Sequence, residues 1–477
     1  MTYAHTYSGT RTREPSPREL EHGRLARRAA AGGIVLLKNT GTLPLDLSAP
    51  VALFGSGASR TVKGGIGSGD VNNRANVSIC QGMKDAGLRL TSENWLEDYE
   101  ARYHAARAAW KQKVLEAARW VENPFDAYAA NPFILPQGRP IVPQDVQGAA
   151  AAIYVLSRIA GEGKDRRLEK GDYYLSDGEW NDLRTLDRLG LPIVLLINAG
   201  GPVELTDLLD GAVHIEAVLQ LSQLGQEGGH AVADVLLGKA TPEGKLTATW
   251  ARRYTDYPCA ESFSYLDGDL EKAVYREGIY VGYRYFDSFG VQPLFPFGYG
   301  LSYTDFSLRF AGLRVGADAI EVDVEVENAG ICFSGREVAQ VYISCPQNGG
   351  AKELRRLAGF AKTRLLAPEQ RQTLTICIPQ KQLATFAVQK QGWVVEQGLY
   401  GVWVGNSSAA VTLCAQIRVE ADTLIEQTHP ICPLHQPLDE LGAADAAQKE
   451  AAHPAGLPVY GLSLIHISEP TRLDVMS

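Results

Sequence analysis

The first half of the chain alternates short apolar runs with amphipathic helical segments. The apolar runs lie at residues 51–54, 153–156, 192–197 and 214–219, and each has the length and composition of a buried parallel strand. Segments with helical periodicity separate most of these runs. This alternation predicts an α/β domain with a mainly parallel sheet and helices on both of its faces.

Two of the helices carry start signals that can be recognised in the sequence. Ser16 and Glu19 have the spacing of a capping box, as do Ser176 and Glu179. Glycines follow both segments and provide stop signals. The sequence therefore predicts helices over residues 16–31 and 176–189.

Residues 93–147 interrupt the strand–helix alternation and form a predicted insertion. Aromatic and apolar residues recur there at intervals of three and four, which predicts a long helix over residues 93–120. An aromatic stripe of this kind more often serves packing than ligand binding. Two roles remain open for the insertion, covering a site or contacting another subunit.

From about residue 305 the period of apolar residues changes from helical to alternating. Residues 320–327 alternate between branched apolar and acidic side chains, and similar patterns return at 374–378, 400–404 and 411–419. Several such strands separated by turn residues predict a β-sandwich over residues 306–420. The proline- and alanine-rich stretch 421–461 is predicted to be a linker.

Three glycine-rich loops follow predicted parallel strands, at residues 63–70, 161–163 and 198–201. The carboxyl ends of parallel strands share one sheet edge, where ligands bind in open α/β folds. Glu162 lies between two glycines in the second loop, and Asp165 and Arg166 are placed to hold that loop. A glutamate in a surface loop near an arginine is usually only solvated, so position alone gives Glu162 a weak claim to catalysis.

Composition narrows the class of protein further. The net charge is -9, which argues against a nucleic-acid partner, and no apolar run is long enough to span a bilayer. The N-terminus lacks the apolar core of a secretory signal, and the seven cysteines are scattered, so a cytoplasmic protein with reduced thiols is expected. The nine histidines lack metal-ligand spacing, and neither a metal nor another cofactor is predicted.

Seven segments, taken in their order along the chain, resemble glycoside hydrolase family 3, the β-glucosidase family. They are GGIVLLKNTGTLPL (32–45), KGGIGSGD (63–70), GEGKDR (161–166), GQEGGHAVADVLLG (225–238), PEGKL (242–246), YREGIYVGYRYFD (275–287) and FPFGYGLSYTDF (295–306). The resemblance implies a six-stranded α/β sandwich over residues 24–255, after an N-terminal leader (1–23). An aromatic connector (256–305) then leads to a fibronectin type III-like domain (306–420).

The resemblance also implies roles for two residues. The glutamate of the GEG turn, here Glu162, is commonly the general acid/base in this family, and the serine of the GSG loop, here Ser68, contacts the sugar. A retaining glycosidase needs a second carboxylate about 5 Å away as nucleophile. In the family this is an aspartate on a TIM-type barrel, which takes about 250 residues, so the chain is expected to be catalytically incomplete.

The chain is expected to be of the domain-permuted type, in which the barrel follows the β-sandwich. Residues 462–472 read LSLIHISEPTR and resemble the translation of an adapter used in DNA sequencing, so the tail 462–477 is set aside. The first hypothesis is a fragment of a retaining exo-acting β-glycosidase that acts on a β-linked oligosaccharide or glycoside. A non-catalytic carbohydrate-binding or interaction module is the alternative. A nucleotide-binding protein is a weak third, because the glycine-rich loops lack the GxGxxG arrangement. The sugar, the linkage and the oligomeric state, including a homo-oligomer, stay open.

Overall fold

A computed structural model of the chain describes most of its residues. The described ranges are 12–66, 69–159, 166–263, 266, 268–269, 271–272, 274–316, 318–348, 352–432, 439–442, 445 and 456–462. The chain divides into two compact units, Met1–Gly244 and Lys245–Ser477. The predicted α/β domain extended to residue 255. The structure assigns 245–255 to the second unit because the backbone amides of Leu246 and Trp250 donate to the carbonyls of Tyr299 and Phe295.

The first unit is an α/β domain built on one mixed sheet. Its strands are β1 (Val35–Asn39), β2 (Val51–Phe54), β3 (Ala151–Ser157), β4 (Ile193–Asn198) and β5 (Ile215–Gln220). Their order across the sheet is β1-β5-β4-β3-β2, with β1 antiparallel to β5 and all other pairs parallel. Every residue of β2, β3 and β4 is buried, as the apolar runs predicted.

The resemblance implied six strands, whereas the described residues form five. At the free edge of β2 the sixth position is reduced to a single parallel bridge between Val51 and Leu90. The Val51 amide donates to Arg89 O, and the Thr91 amide donates back to Val51 O. A long helix begins at Glu93, so the chain leaves the sheet after this one bridge.

The described residues of this unit form six α-helices. They are α1 (Pro17–Gly33), α2 (Ile79–Asp85), α3 (Glu93–Ala117), α4 (Pro124–Ala130), α5 (Asp177–Arg188) and α6 (Gly228–Leu236). Both predicted capping boxes are present, at the first turns of α1 and α5. Helix α6 packs on α1 and α2, and its contact with α2 is very close. A Cβ on Gly229 would lie 1.9 Å from the Ser78 carbonyl oxygen, so no larger residue fits there without movement.

The second unit contains the predicted β-sandwich, preceded by α7 (Tyr283–Phe289). Its strands are β6 (Phe306–Val315), β7 (Ala319–Asn328), β8 (Val338–Ser344), β9 (Arg356–Lys362), β10 (Arg371–Pro379), β11 (Thr385–Ala387), β12 (Gly392–Val395), β13 (Gly398–Gly405), β14 (Val411–Val419), β15 (Thr423–Gln427) and β16 (Val459–Leu462). They form sheets of order β10-β7-β6, β16-β14-β13-β8-β9 and β11-β12-β15. Alternate residues of β7 and β10 enter the core, which confirms the period of two.

Two strands lie where the sequence predicted a linker and an unrelated tail. Strand β15 pairs with β12, and β16 pairs in parallel with β14. Leu462, the first residue of the tail as predicted, is buried in the core of the sandwich. Both strands are four or five residues long and depend on partners distant in sequence, which explains why local composition indicated a linker.

The same unit buries one lysine almost completely. The Lys352 side chain is 1% exposed, donates to Pro346 O and forms an ion pair with Glu396. A buried charge requires such a partner, since an unpaired ammonium group in the interior is strongly destabilising.

Candidate functional site

The segments that the sequence predicted as three glycine-rich loops begin at one edge of the α/β sheet, where the carboxyl ends of three strands lie side by side. They follow β2, β3 and β4, which are adjacent and parallel. Ser68 and Glu162, the two predicted site residues, both lie outside the described residues. The structure therefore locates their described neighbours, among them Ile66 before Ser68, and Ile159 and Arg166 on either side of Glu162.

The loop after β2 leaves the sheet in close contact with β3. Gly55 has a φ of +95°, and a Cβ on it would lie 2.2 Å from the Val155 carbonyl oxygen. A Cβ on Gly57 would lie 1.9 Å from Ser157 Oγ. Only glycine combines this backbone conformation with so close an approach. The path of the chain directly after β2 is therefore fixed by steric contact with the neighbouring strand.

Asn198 connects three of the elements at this edge. It is the last residue of β4 and is fully buried. Its Oδ1 accepts from the Val62 amide at 2.7 Å, and its Nδ2 donates to Val62 O at 2.9 Å and to Ser222 O at 2.8 Å. One amide side chain thus holds the loop after β2 and the loop after β5 at the end of β4. Asn198 is not among the site residues predicted from the sequence, although a polar residue that ends the apolar run IVLLI is a usable signal.

Arg158 fixes the start of the segment that follows β3. It is 5% exposed, and its guanidinium donates to both carboxylate oxygens of Glu179, at 2.7 and 2.9 Å. It also donates to the backbone oxygens of Ser157 and Asp172. Beyond Glu162, Arg166 forms an ion pair with Asp172. Asp165, its predicted companion, lies outside the described residues.

A cavity of about 360 Å³ opens at this edge. The glycine-rich loop lines one side through residues 60–66 and Asp70, and Ile159 lines it at the end of β3. The other side comes from the insertion 93–147. Its aromatic lining residues are Tyr103, Trp110, Phe125, Tyr128 and Phe133. The insertion therefore covers this edge of the α/β unit, one of the two roles that the sequence left open.

The aromatic stripe of α3 serves two purposes along its length. Trp95 and Tyr99 are buried and stacked, with ring centroids 5.5 Å apart, and Phe54 of β2 meets Trp95 edge-on at 5.3 Å. This first part is packing, as the sequence analysis expected. One and three turns further on, Tyr103 and Trp110 are only half-buried and line the cavity.

In the described part of the lining, three side chains are cationic. Arg60 donates to both carboxylate oxygens of Glu100, and Lys63 pairs with Asp70 at 3.1 Å. Arg107 lies over the Trp110 ring, with 4.1 Å between the guanidinium carbon and the ring centroid. Across the described parts of the chain, no group of three histidine, cysteine or carboxylate side chains is placed to hold a metal ion. The described walls of the cavity are therefore aromatic and cationic.

A buried carboxyl group lies apart from the cavity, between β3 and α5. Asp182 is 6% exposed, and its Oδ2 lies 3.1 Å from the Tyr154 hydroxyl. Burial raises the pKa of Asp182 to about 7, against the opposing effect of the Tyr154 hydrogen bond, and the nearby Glu179 carboxylate adds to the rise. Neither Asp182 nor Tyr154 lines the cavity. This raised pKa is therefore a property of the domain interior.

In the helices that the structure describes, no segment has the length and apolar character needed to cross a membrane.

Comparison with known proteins gives two domain matches. Residues 34–303 match the glycosyl hydrolase family 3 C-terminal domain, and residues 337–408 match the fibronectin type III-like domain. The second match lies within the observed β-sandwich, which confirms the predicted fold class.

The curated relatives of the chain are β-glucosidases. A β-glucosidase of Ruminococcus albus is 34% identical over 410 residues, which cover 83% of this chain and 40% of that protein. β-Glucosidase A of Butyrivibrio fibrisolvens is 34% identical over 437 residues, covering 81% of this chain and 50% of that protein. The chain thus spans about half the length of the curated relatives that it matches.

Solved structures show the same relationship. β-Glucosidase 3B from Thermotoga neapolitana, in complex with glucose, has a TM-score of 0.73 and 37% identity, covering 86% of this chain and 55% of that chain. A β-glucosidase from Paenibacillus barengoltzii has a TM-score of 0.75 and 33% identity, covering 86% of this chain and 45% of that chain. The family model spans more than half of the 477 residues, and the chain belongs to glycosyl hydrolase family 3.

Proposed function

We propose that the chain is part of a retaining, exo-acting β-glycosidase of β-glucosidase type. In this proposal Glu162 is the general acid/base, and Ser68 contacts the sugar. The substrate is a β-linked oligosaccharide or glycoside. The family assignment and the β-glucosidase relatives support the reaction class.

One observation carries the placement of both residues in a single site. Ile66, two residues before Ser68, and Ile159, three residues before Glu162, line the same cavity. The anchors at Asn198 and Arg158 hold the chain close to these two segments. Loops that start from one fixed edge are well suited to act on one ligand.

In the proposed reaction two carboxylates have different roles. Glu162 protonates the glycosidic oxygen while a nucleophilic carboxylate attacks the anomeric carbon, and Glu162 then removes a proton from the water that releases the sugar. We propose that the nucleophile is an aspartate on a barrel domain outside this chain, which leaves the chain catalytically incomplete. Two observations support this: the described strands form open sheets, and the relatives are about twice as long.

The first experiment assays the chain itself with 4-nitrophenyl β-D-glucopyranoside. We expect no turnover above the uncatalysed rate. Turnover that is lost in Glu162→Gln but kept in Glu169→Gln would contradict incompleteness while supporting the role of Glu162. Glu169 is a suitable control because it is exposed and lies in the same connection between β3 and α5.

The role of Glu162 is tested in a protein that also carries the nucleophile domain. Glu162→Gln should slow hydrolysis of phenyl glucosides far more than that of 2,4-dinitrophenyl glucosides, because the better leaving group needs no proton. Azide should restore the rate by attacking the glycosyl-enzyme in place of activated water. Equal losses for both substrates, without azide rescue, would refute the assignment. Sugar binding lost in Ser68→Ala, with no turnover in any form, would favour a carbohydrate-binding module.

A further inference from the structure

The insertion gives the cavity a lining that differs from a usual sugar platform. Its rings meet edge to face: Tyr103 and Phe133 are 5.6 Å apart at 89°, and Trp110 and Phe133 are 5.7 Å apart at 69°. A sugar stacks its C–H groups on the open, electron-rich face of a ring. Here one face of Tyr103 is covered by Arg60 at 4.2 Å, and one face of Trp110 is covered by Arg107.

The edges of aromatic rings are electropositive, and guanidinium groups are cationic. Such a lining complements an electron-rich or anionic planar group better than it complements the weakly positive C–H face of a sugar. The walls stand nearly at right angles, so a flat ring can lie against one and direct its edge at another. The volume falls in the usual range of small-molecule sites, about 300–1,000 Å³.

Among the described residues that line the cavity, Arg107 is the cation that remains available to a ligand. Glu100 neutralises Arg60, and Asp70 neutralises Lys63. Within the part of the chain that the structure describes, no carboxylate pairs with Arg107, an exposed side chain whose guanidinium carbon lies 4.1 and 4.8 Å from the ring centroids of Trp110 and Phe133. Its planar fork of N–H donors matches a carboxylate in shape and charge.

We infer that this cavity is a subsite for an aryl carboxylate, with the aromatic ring held among Tyr103, Trp110 and Phe133 and the carboxylate held by Arg107. The identity of the ligand rests on the proposed function: it is a β-glycoside whose aglycone is an aromatic acid. The glycine-rich loop lines the opposite side of the same cavity, so ring and sugar can be bound together.

Calorimetric titration of the chain tests this inference with four probes. They are 4-carboxyphenyl β-D-glucopyranoside, phenyl β-D-glucopyranoside, methyl β-D-glucopyranoside and benzoate. We expect the carboxyphenyl compound to bind about tenfold more tightly than the phenyl compound, as befits one charge-assisted contact. Arg107→Gln should remove this preference, and Arg107→Lys should keep part of it.

Arg102→Gln is the matched control. Arg102 is exposed on the same helix, pairs with Asp98 and does not line the cavity, so the preference should survive its loss. Equal affinity for the two aryl glucosides, a preference that persists in Arg107→Gln, or no binding of any aryl compound would overturn the inference. The benzoate titration distinguishes a failure of this inference from a failure of the proposed function. Arg107-dependent binding of benzoate supports the subsite even if the sugar adds no affinity, whereas binding of the methyl glucoside alone supports sugar recognition without the subsite.

Discussion

The buried carboxyl group of Asp182 makes the stability of the α/β unit depend on pH in an unusual direction. Burial raises its pKa from 3.8 to about 7. The folded chain therefore keeps a proton on Asp182 that the unfolded chain releases above about pH 4. Between these values the folded state binds more protons than the unfolded state, so the contribution of Asp182 to stability falls as pH rises and levels off above pH 7.

The structure sets the size of the effect. A rise of about three pKa units, at about 1.4 kcal/mol per unit, corresponds to a loss of about 4 kcal/mol between pH 4 and pH 8. Asp182→Asn keeps an oxygen that can accept from the Tyr154 hydroxyl but cannot ionise. The free energy of unfolding of the variant, minus that of the wild type, should increase by about 3 kcal/mol from pH 5 to pH 8.

Amide hydrogen exchange in β3 provides the assay, because a chain of two units need not unfold in one step. Opening free energies of Ala151–Ser157 are compared at pH 5, 6, 7 and 8, each corrected for the intrinsic exchange rate. Asp177→Asn is the control, since Asp177 is exposed in the first turn of the same helix. A difference between Asp182→Asn and wild type that stays within about 0.5 kcal/mol over this range would refute the reasoning.

Three further substitutions test the packing and the anchors. Gly229→Ala should lower the free energy of unfolding by about 1–3 kcal/mol in urea denaturation, whereas Gly33→Ala, where a Cβ meets nothing within 4 Å, should be neutral or slightly stabilising; equal effects would contradict the close approach. Asn198→Ala should cost about 2–4 kcal/mol and speed amide exchange in residues 57–66, while the exposed Asn181→Ala should do neither. Glu396→Gln should lower the melting temperature of the second unit, because the buried ammonium group of Lys352 then lacks its counter-charge, which costs about 3–5 kcal/mol. An unchanged melting curve would show that this charge is hydrated.

The helices were predicted well because the residues of a capping box, which mark where a helix starts, lie within four positions of each other. At α5 the Ser176 amide donates to Glu179 Oε2 at 2.7 Å, and the Glu179 amide donates to Ser176 Oγ at 3.2 Å. The second role of Glu179, its ion pair with Arg158, joins residues 21 positions apart and left no pattern in the sequence. The same limit hid the pairing of β16 with β14 and the reduction of the sixth strand to a bridge at Leu90.

In the candidate site too, the features with a local sequence pattern were predicted and those that depend on distant contacts were not. The sequence located the edge, because glycine-rich loops after apolar runs are a local pattern, and family resemblance assigned Glu162 and Ser68. It did not predict that α3 would cover this edge, since the same aromatic spacing serves packing at Trp95 and cavity lining at Trp110. Only the path of the chain through the insertion decides which ring is buried and which faces a ligand.

The hydrogen bonds of Asn198 offset part of the conformational entropy that is lost when the glycine-rich segment 63–70 becomes ordered. The segment 63–70 contains four glycines, each of which adds about 0.4–1 kcal/mol of unfolded-chain entropy relative to alanine, so ordering the segment costs about 2–4 kcal/mol more than for an alanine loop. The two short hydrogen bonds between Asn198 and Val62, at about 1 kcal/mol each, offset about 2 kcal/mol of this cost, and they act just before the glycines begin. The third hydrogen bond of Asn198 holds Ser222 in the loop after β5. The glycine-rich segment is thus held from its base at Val62, where the end of β4 fixes the point from which the segment starts.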